Sequence, residues 1–74
     1  MLLAFDKNYN VLYGDIIVGR IIHILETGMW IAYARCFDQW IERRAKNQTD
    51  LLDEMRKAVD ARKPTTEEIS WEIH

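Results

Sequence analysis

One cysteine in 74 residues cannot close a disulfide within the chain, so a small secreted disulfide scaffold is excluded. Cys36 reads as a small buried hydrophobe, because no neighbouring base is present to activate the thiol. The two histidines, His23 and His74, are far apart and have no cysteine pair or His-Glu-x-x-His spacing, which leaves no metal site to propose. The three glycines, Gly14, Gly19 and Gly28, are isolated, so no glycine-rich phosphate loop exists. No nucleophile is followed by a base in any catalytic pattern. The expectation is a protein without catalytic residues, metal or cofactor, and not an enzyme.

Long hydrophobic runs are missing too. The longest, Ile16 to Leu25, is interrupted by Gly19, Arg20 and His23, whereas a membrane span needs about 20 apolar residues. Met1-Leu2-Leu3-Ala4-Phe5 lacks the basic start of a signal peptide. These absences give the expectation of a cytoplasmic protein with no membrane partner. Charge of one sign is also lacking: 10 basic residues face 12 acidic ones, for a net charge of −2. The imbalance is local. Residues 38–48 sum to +1 (Arg43, Arg44 and Lys46 against Asp38 and Glu42). Residues 49–74 sum to −3, with seven acids against four bases. A general nucleic-acid binder would carry a net basic domain.

What is present is apolar and aromatic. Hydrophobic residues make up 49% of the chain, with three Trp, three Tyr and two Phe, a composition that argues against disorder. A single domain this small buries only about 60% of its unfolded surface. It therefore cannot hide every aromatic ring it carries.

The period of the apolar residues changes near Thr49. Before it, Leu2–Phe5, Asn10–Tyr13, Ile16–Leu25 and Met29–Phe37 read as strands. They are separated by Asp6-Lys7-Asn8, Gly14-Asp15 and the hairpin-length Glu26-Thr27-Gly28. Residues 38–48 fit either a helix or one more strand, with a lean to strand or loop. After Thr49, Leu51, Leu52, Met55, Ala58 and Val59 mark one helical face. Thr49 reads as its cap, Asp50, Asp53 and Glu54 load its first turns, and Pro64 stops it. Ile69, Trp71 and Ile73 then alternate as in a short final strand. The expected fold is α+β: a small antiparallel sheet of three to four strands on one main helix, about 49–63. A single domain over 1–63 is followed by a C-terminal strand or docking tail over 64–74.

Alternation assigns faces within the strand after the Gly28 turn. Trp30, Ala32, Ala34 and Cys36 form a small, flat face suited to the helix, and Met29, Ile31, Tyr33, Arg35 and Phe37 point the other way. In the preceding strand Ile17, Ile21 and Leu25 share a face with His23, and Val18, Ile22 and Ile24 share the other with Arg20. One helix covers one face, so the bulky face needs a partner. The expected partner-binding residues are Met29, Ile31, Tyr33 and Arg35, with Trp71 as an outlier in the tail. The expected partners are another protein or a second copy of the chain.

Two resemblances follow. A sheet then a helix, with the corner Gly28-Met29-Trp30-Ile31-Ala32, resembles over roughly 16–60 the sheet-plus-helix DNA-binding domains of plant AP2 factors and phage integrase arm-binding modules. That resemblance implies that strand-borne arginines enter the major groove, here Arg20, Arg35, Arg43 and Arg44. The net charge of −2 and the acidic helix depart from it. The chain is also similar in type to the small accessory proteins of bacteriophages, including anti-CRISPR proteins. Like them it is short, aromatic-rich, mildly acidic and cysteine-poor, without a catalytic signature. This implies a phage-encoded inhibitor in the host cytoplasm that sterically blocks a host protein or nucleoprotein complex.

Overall fold

A computed structural model of the chain describes residues 2–62. The expected C-terminal strand, Trp71 and the proposed boundary at 63–64 lie outside the described residues. Five strands run in chain order: β1 (Leu3–Phe5), β2 (Asn10–Tyr13), β3 (Ile16–Ile24), β4 (Met29–Cys36) and β5 (Gln39–Ala45). They form one antiparallel sheet in the order β1-β2-β3-β4-β5, followed by helix α1 (Gln48–Arg62). The α+β class and, among the described residues, the one helix match the sequence reading. The sheet has one strand more than the three to four expected, because residues 39–45 pair along β4.

The turns follow from a few residues. Gly14 and Gly28 take the left-handed backbone, at φ 64° and 74°, that their turns require. Asp6 builds the β1–β2 turn. Its Oδ1 accepts the backbone N–H groups of Asn8 (2.9 Å) and Asn10 (2.8 Å), and its Oδ2 accepts the Asn10 amide at 3.1 Å. The backbone N–H of Asn10 is the main cause that holds the Asp6 carboxyl below its ordinary range. The Asn10 amide, the N–H of Asn8 and the field of Arg20 add to it against some desolvation. A group with a depressed folded pKa stabilises above its unfolded value, about 3.9, and that contribution is lost as pH falls through the folded value. Asp6→Ala should therefore lower the thermal midpoint at neutral pH, with the gap to the parent chain closing as the pH falls below the unfolded value and through the lower folded one. A gap that persisted unchanged in acid would remove the carboxylate from the account.

The β4–β5 hairpin is less ordinary. Its two turn residues are Phe37 and Asp38, both left-handed at φ 54° and 61°. Two positive φ angles match the twist of a two-residue hairpin, which usually employs Asn-Gly. Phe37 thus leaves the strand it was expected to continue. Its ring stands edge-on to Tyr13 at 5.8 Å instead of joining the Met29–Ile31–Tyr33 face.

Helix α1 begins at Gln48, and its cap lies two residues before the expected one. Asn47, rather than Thr49, caps it: the Asn47 Oδ1 accepts the backbone N–H of Asp50 at 2.8 Å, and the Asn47 amide donates to the Asp50 carboxylate at 3.1 Å. Asn47→Ala should cost about 1 kcal/mol in urea unfolding, and Thr49→Ala much less; the reverse order would restore Thr49 as the cap. At the other end the Arg62 guanidinium donates to the carbonyl of Ala58 at 2.8 Å, where the dipole favours a cation.

Leu51, Met55, Ala58 and Val59 are buried on one face of α1. They pack with Leu3, Val11, Ile21, Ala32, Ala34, Cys36 and Ile41 into one core. Trp30 is half-buried against it, so the small face of β4 lies under the helix as its alternation predicts. The helix packs on β5, β4 and β1, the last joined by a hydrogen bond from Arg56 Nε to the carbonyl of Leu3 at 2.9 Å. In a flat sheet β1 and β5 would stand about 19 Å apart, and a helix reaching both would lie across β2 and β3; α1 instead packs on β1, β4 and β5 with little contact to the strands between. The sheet is accordingly curled, with both edges drawn to one helix and its other face convex.

A bulge sharpens the curl. Val11 pairs with Gly19 but Leu12 pairs with Ile17, leaving Val18 as the extra residue. Strict alternation across the whole of β3 therefore fails. Val18 packs against the core, while Ile17 is 60% exposed and lies beside Leu12, away from Ile21.

Candidate binding face

The pairing registers lay out the convex face row by row. Ile24 lies beside Met29. The next row runs Ile22, Ile31, Arg44, and the next Asn10, Arg20, Tyr33, Glu42. The last pairs Arg35 with Trp40. No described element covers this face: the helix lies on the opposite side, and Ile22 and Trp40 are 47% and 64% exposed. Met29, Ile31 and Tyr33 are half-buried by their strand neighbours, and Arg35 is exposed.

Tyr33 sits at the centre. Its direct neighbours are Arg20 on β3 and Glu42 on β5, with Ile31 and Arg35 two residues away on its own strand. The Trp40 ring lies 6.4 Å from the Tyr33 ring, and the Arg35 guanidinium is 5.8 Å from the centre of Trp40. That geometry is a cation–π contact at an exposed site, worth about 0.5–1 kcal/mol. Arg44 and Glu42 approach to 3.9 Å, a loose surface pair with little net energy.

Four of the five residues expected to bind a partner, Met29, Ile31, Tyr33 and Arg35, share this face. The fifth, Trp71, lies outside the described residues. Of the four arginines expected at DNA, Arg20, Arg35 and Arg44 share the face. Arg43 does not: it pairs with buried Ala32 and points to the helix side. Alternation within β5 separates it from Arg44. Trp40 is the residue the sequence reading missed. Its place follows from treating 39–45 as a strand paired through a two-residue turn, a pairing that brings Trp40 opposite Arg35.

The helix side offers less. His23 stacks flat on Trp30 at 3.9 Å, and Tyr9 lies 6.1 Å from the same ring, so these aromatics satisfy one another. An open groove of about 520 Å³ between the end of β5 and the start of α1 mixes Arg44, Lys46 and Lys57 with Asp50, Asp53 and Glu54. Among the described residues, no cluster of three or more His, Cys, Asp or Glu could hold a metal ion. Burial pushes the Cys36 thiol up, away from reactivity. No described helix is long and apolar enough to cross a membrane.

No family model matches the chain, and neither a curated protein nor a solved structure matches it.

Proposed function

We propose that the chain is a small protein-binding module whose contact surface is the convex face of its sheet. The observation that carries this reading is the exposure of Ile17, Ile22 and Trp40 around half-buried Met29, Ile31 and Tyr33, uncovered by any described element. Contiguous apolar surface of this kind marks interaction sites, and Tyr, Trp and Arg dominate their energetics. The described residues hold no catalytic constellation for the face to serve, and the simplest action is occupancy. The module blocks a host protein or nucleoprotein complex by covering a surface that another molecule needs, as its likeness in type to phage inhibitors implies.

Affinity capture from the native host, followed by titration of the purified captured protein, tests this. The parent chain and a helix-side control, Lys57→Ala, should retain the partner. Tyr33→Ala and Trp40→Ala should each weaken binding by about tenfold or more, the scale of a hot-spot residue. Equal binding by all four proteins would remove the face from the interaction.

Duplex DNA is a second reading, favoured by Arg20, Arg35 and Arg44 sharing one face of a sheet. It now excludes Arg43. Binding at moderate salt that fell on changing Arg35 and Arg44 together, and not on changing Arg43, would support it.

A further inference from the structure

We infer that the convex face is built for an acidic partner: a protein segment that sets carboxylates around one apolar or aromatic side chain seated at Tyr33. The inference rests on the protein-binding reading above and adds the partner's chemistry. Arg20, Arg35 and Arg44 lie on three sides of Tyr33. Strand spacing puts Arg20 about 8 Å and Arg44 about 14 Å from Arg35, measured between backbones. A short segment therefore reaches all three. Against them the described residues of the face supply one carboxylate, Glu42, 3.9 Å from Arg44. Asp6, in the β1–β2 turn, feels the field of Arg20. Among the described residues Arg20 and Arg35 have no carboxylate within 4.0 Å.

Guanidinium forks suit carboxylates, which they can hold with two parallel hydrogen bonds. The apolar floor of Ile22, Ile31 and Met29 gives such a partner an anchor that bare phosphate lacks. A second copy fits less well. A two-fold interface through this face sets its surplus of arginines against the same surplus, and like charges so placed cost affinity.

The test measures full-chain binding by tryptophan fluorescence. The first probe is a synthetic peptide alternating Glu with Leu and Phe; the second replaces each Glu by Lys. The acidic peptide should bind and weaken by about tenfold between ~50 and ~300 mM salt. Arg20→Gln and Arg35→Gln should each weaken it severalfold. Glu42→Gln should strengthen it about threefold, a gain that a purely structural role for Glu42 would not produce.

Equal binding of the two peptides, or no gain from Glu42→Gln, overturns the acidic partner while leaving the face in use for the captured protein. Loss of the capture effect of Tyr33→Ala overturns the underlying reading instead. Three further outcomes overturn the inference by naming another occupant. Oligothymidylate outcompeting the acidic peptide assigns the face to nucleic acid. A mass that rises with concentration and falls with Tyr33→Ala assigns it to a second copy. Tighter peptide binding by Trp71→Ala assigns it to the chain's own residues 64–74.

Discussion

Gly19→Ala is expected to cost about 3 kcal/mol or more and to leave little folded protein at 37 °C. A Cβ built at Gly19 would stand 1.8 Å from the carbonyl oxygen of Tyr33 and 2.6 Å from Cα of Ala34. Both are backbone atoms of the neighbouring strand, so no rotamer change relieves the clash; β3 or β4 must move. Movement is costly there. Gly19 follows the bulge at Val18 and pairs with fully buried Ala34, under the core that Ile21 and Ile41 complete. A domain of this size holds about 3–9 kcal/mol in all, so the loss is a large fraction of the whole. Gly28→Ala is the control. Nothing lies within 4 Å of a Cβ there, and only its φ of 74° resists the change, at about 1 kcal/mol. Urea unfolding followed by circular dichroism separates the two. A Gly19→Ala midpoint as close to the parent as that of Gly28→Ala would mean that β3 yields easily and the bulge is not a fixed point of the fold.

The same glycine shows where sequence reading stops. Alternation works along β4 because that strand is paired without interruption, so Ala32, Ala34 and Cys36 go under the helix and Met29, Ile31 and Tyr33 go outside. It fails along β3 because one extra residue, Val18, reverses the faces of everything before it. Nothing in Ile17-Val18-Gly19 alone distinguishes a bulge from a regular strand; the close approach of Tyr33 that demands glycine is a contact between strands. The Phe37-Asp38 turn is hidden for a related reason. Asp38 tolerates the left-handed region but Phe37 does not favour it, yet both occupy it, at φ 61° and 54°. Strand pairing on either side imposes the turn, and its length places Trp40 opposite Arg35. The helix was legible because its period and charge order are local properties. Its cap was displaced by two residues because Asn47 and Thr49 are both competent, and only the Asn47–Asp50 bonds decide between them.

Met55→Ala should be the most damaging change on the helix, at about 3 kcal/mol, and it sets the scale for the face opposite. Met55 is fully buried, at the middle of the stripe formed by Leu51, Ala58 and Val59. Truncating it removes the apolar contacts of three side-chain heavy atoms and leaves a void that β5 and β1 cannot both close. Both strands pack on the same helix, and Arg56 already fixes β1 through the carbonyl of Leu3. Met55→Leu, which keeps the volume, should cost less than about 1.5 kcal/mol. Tyr33→Ala, on the open side of the sheet, should cost about 1 kcal/mol or less, because its ring is only half-buried and lies beside Trp40. The two variants should therefore separate stability from association. Met55→Ala lowers the unfolding midpoint and leaves the affinity of the remaining folded molecules intact. Tyr33→Ala folds like the parent and loses its partner. If Tyr33→Ala unfolded the chain as Met55→Ala does, the convex face would be part of the core, and the apolar surface around Tyr33 would owe its presence to folding rather than to binding.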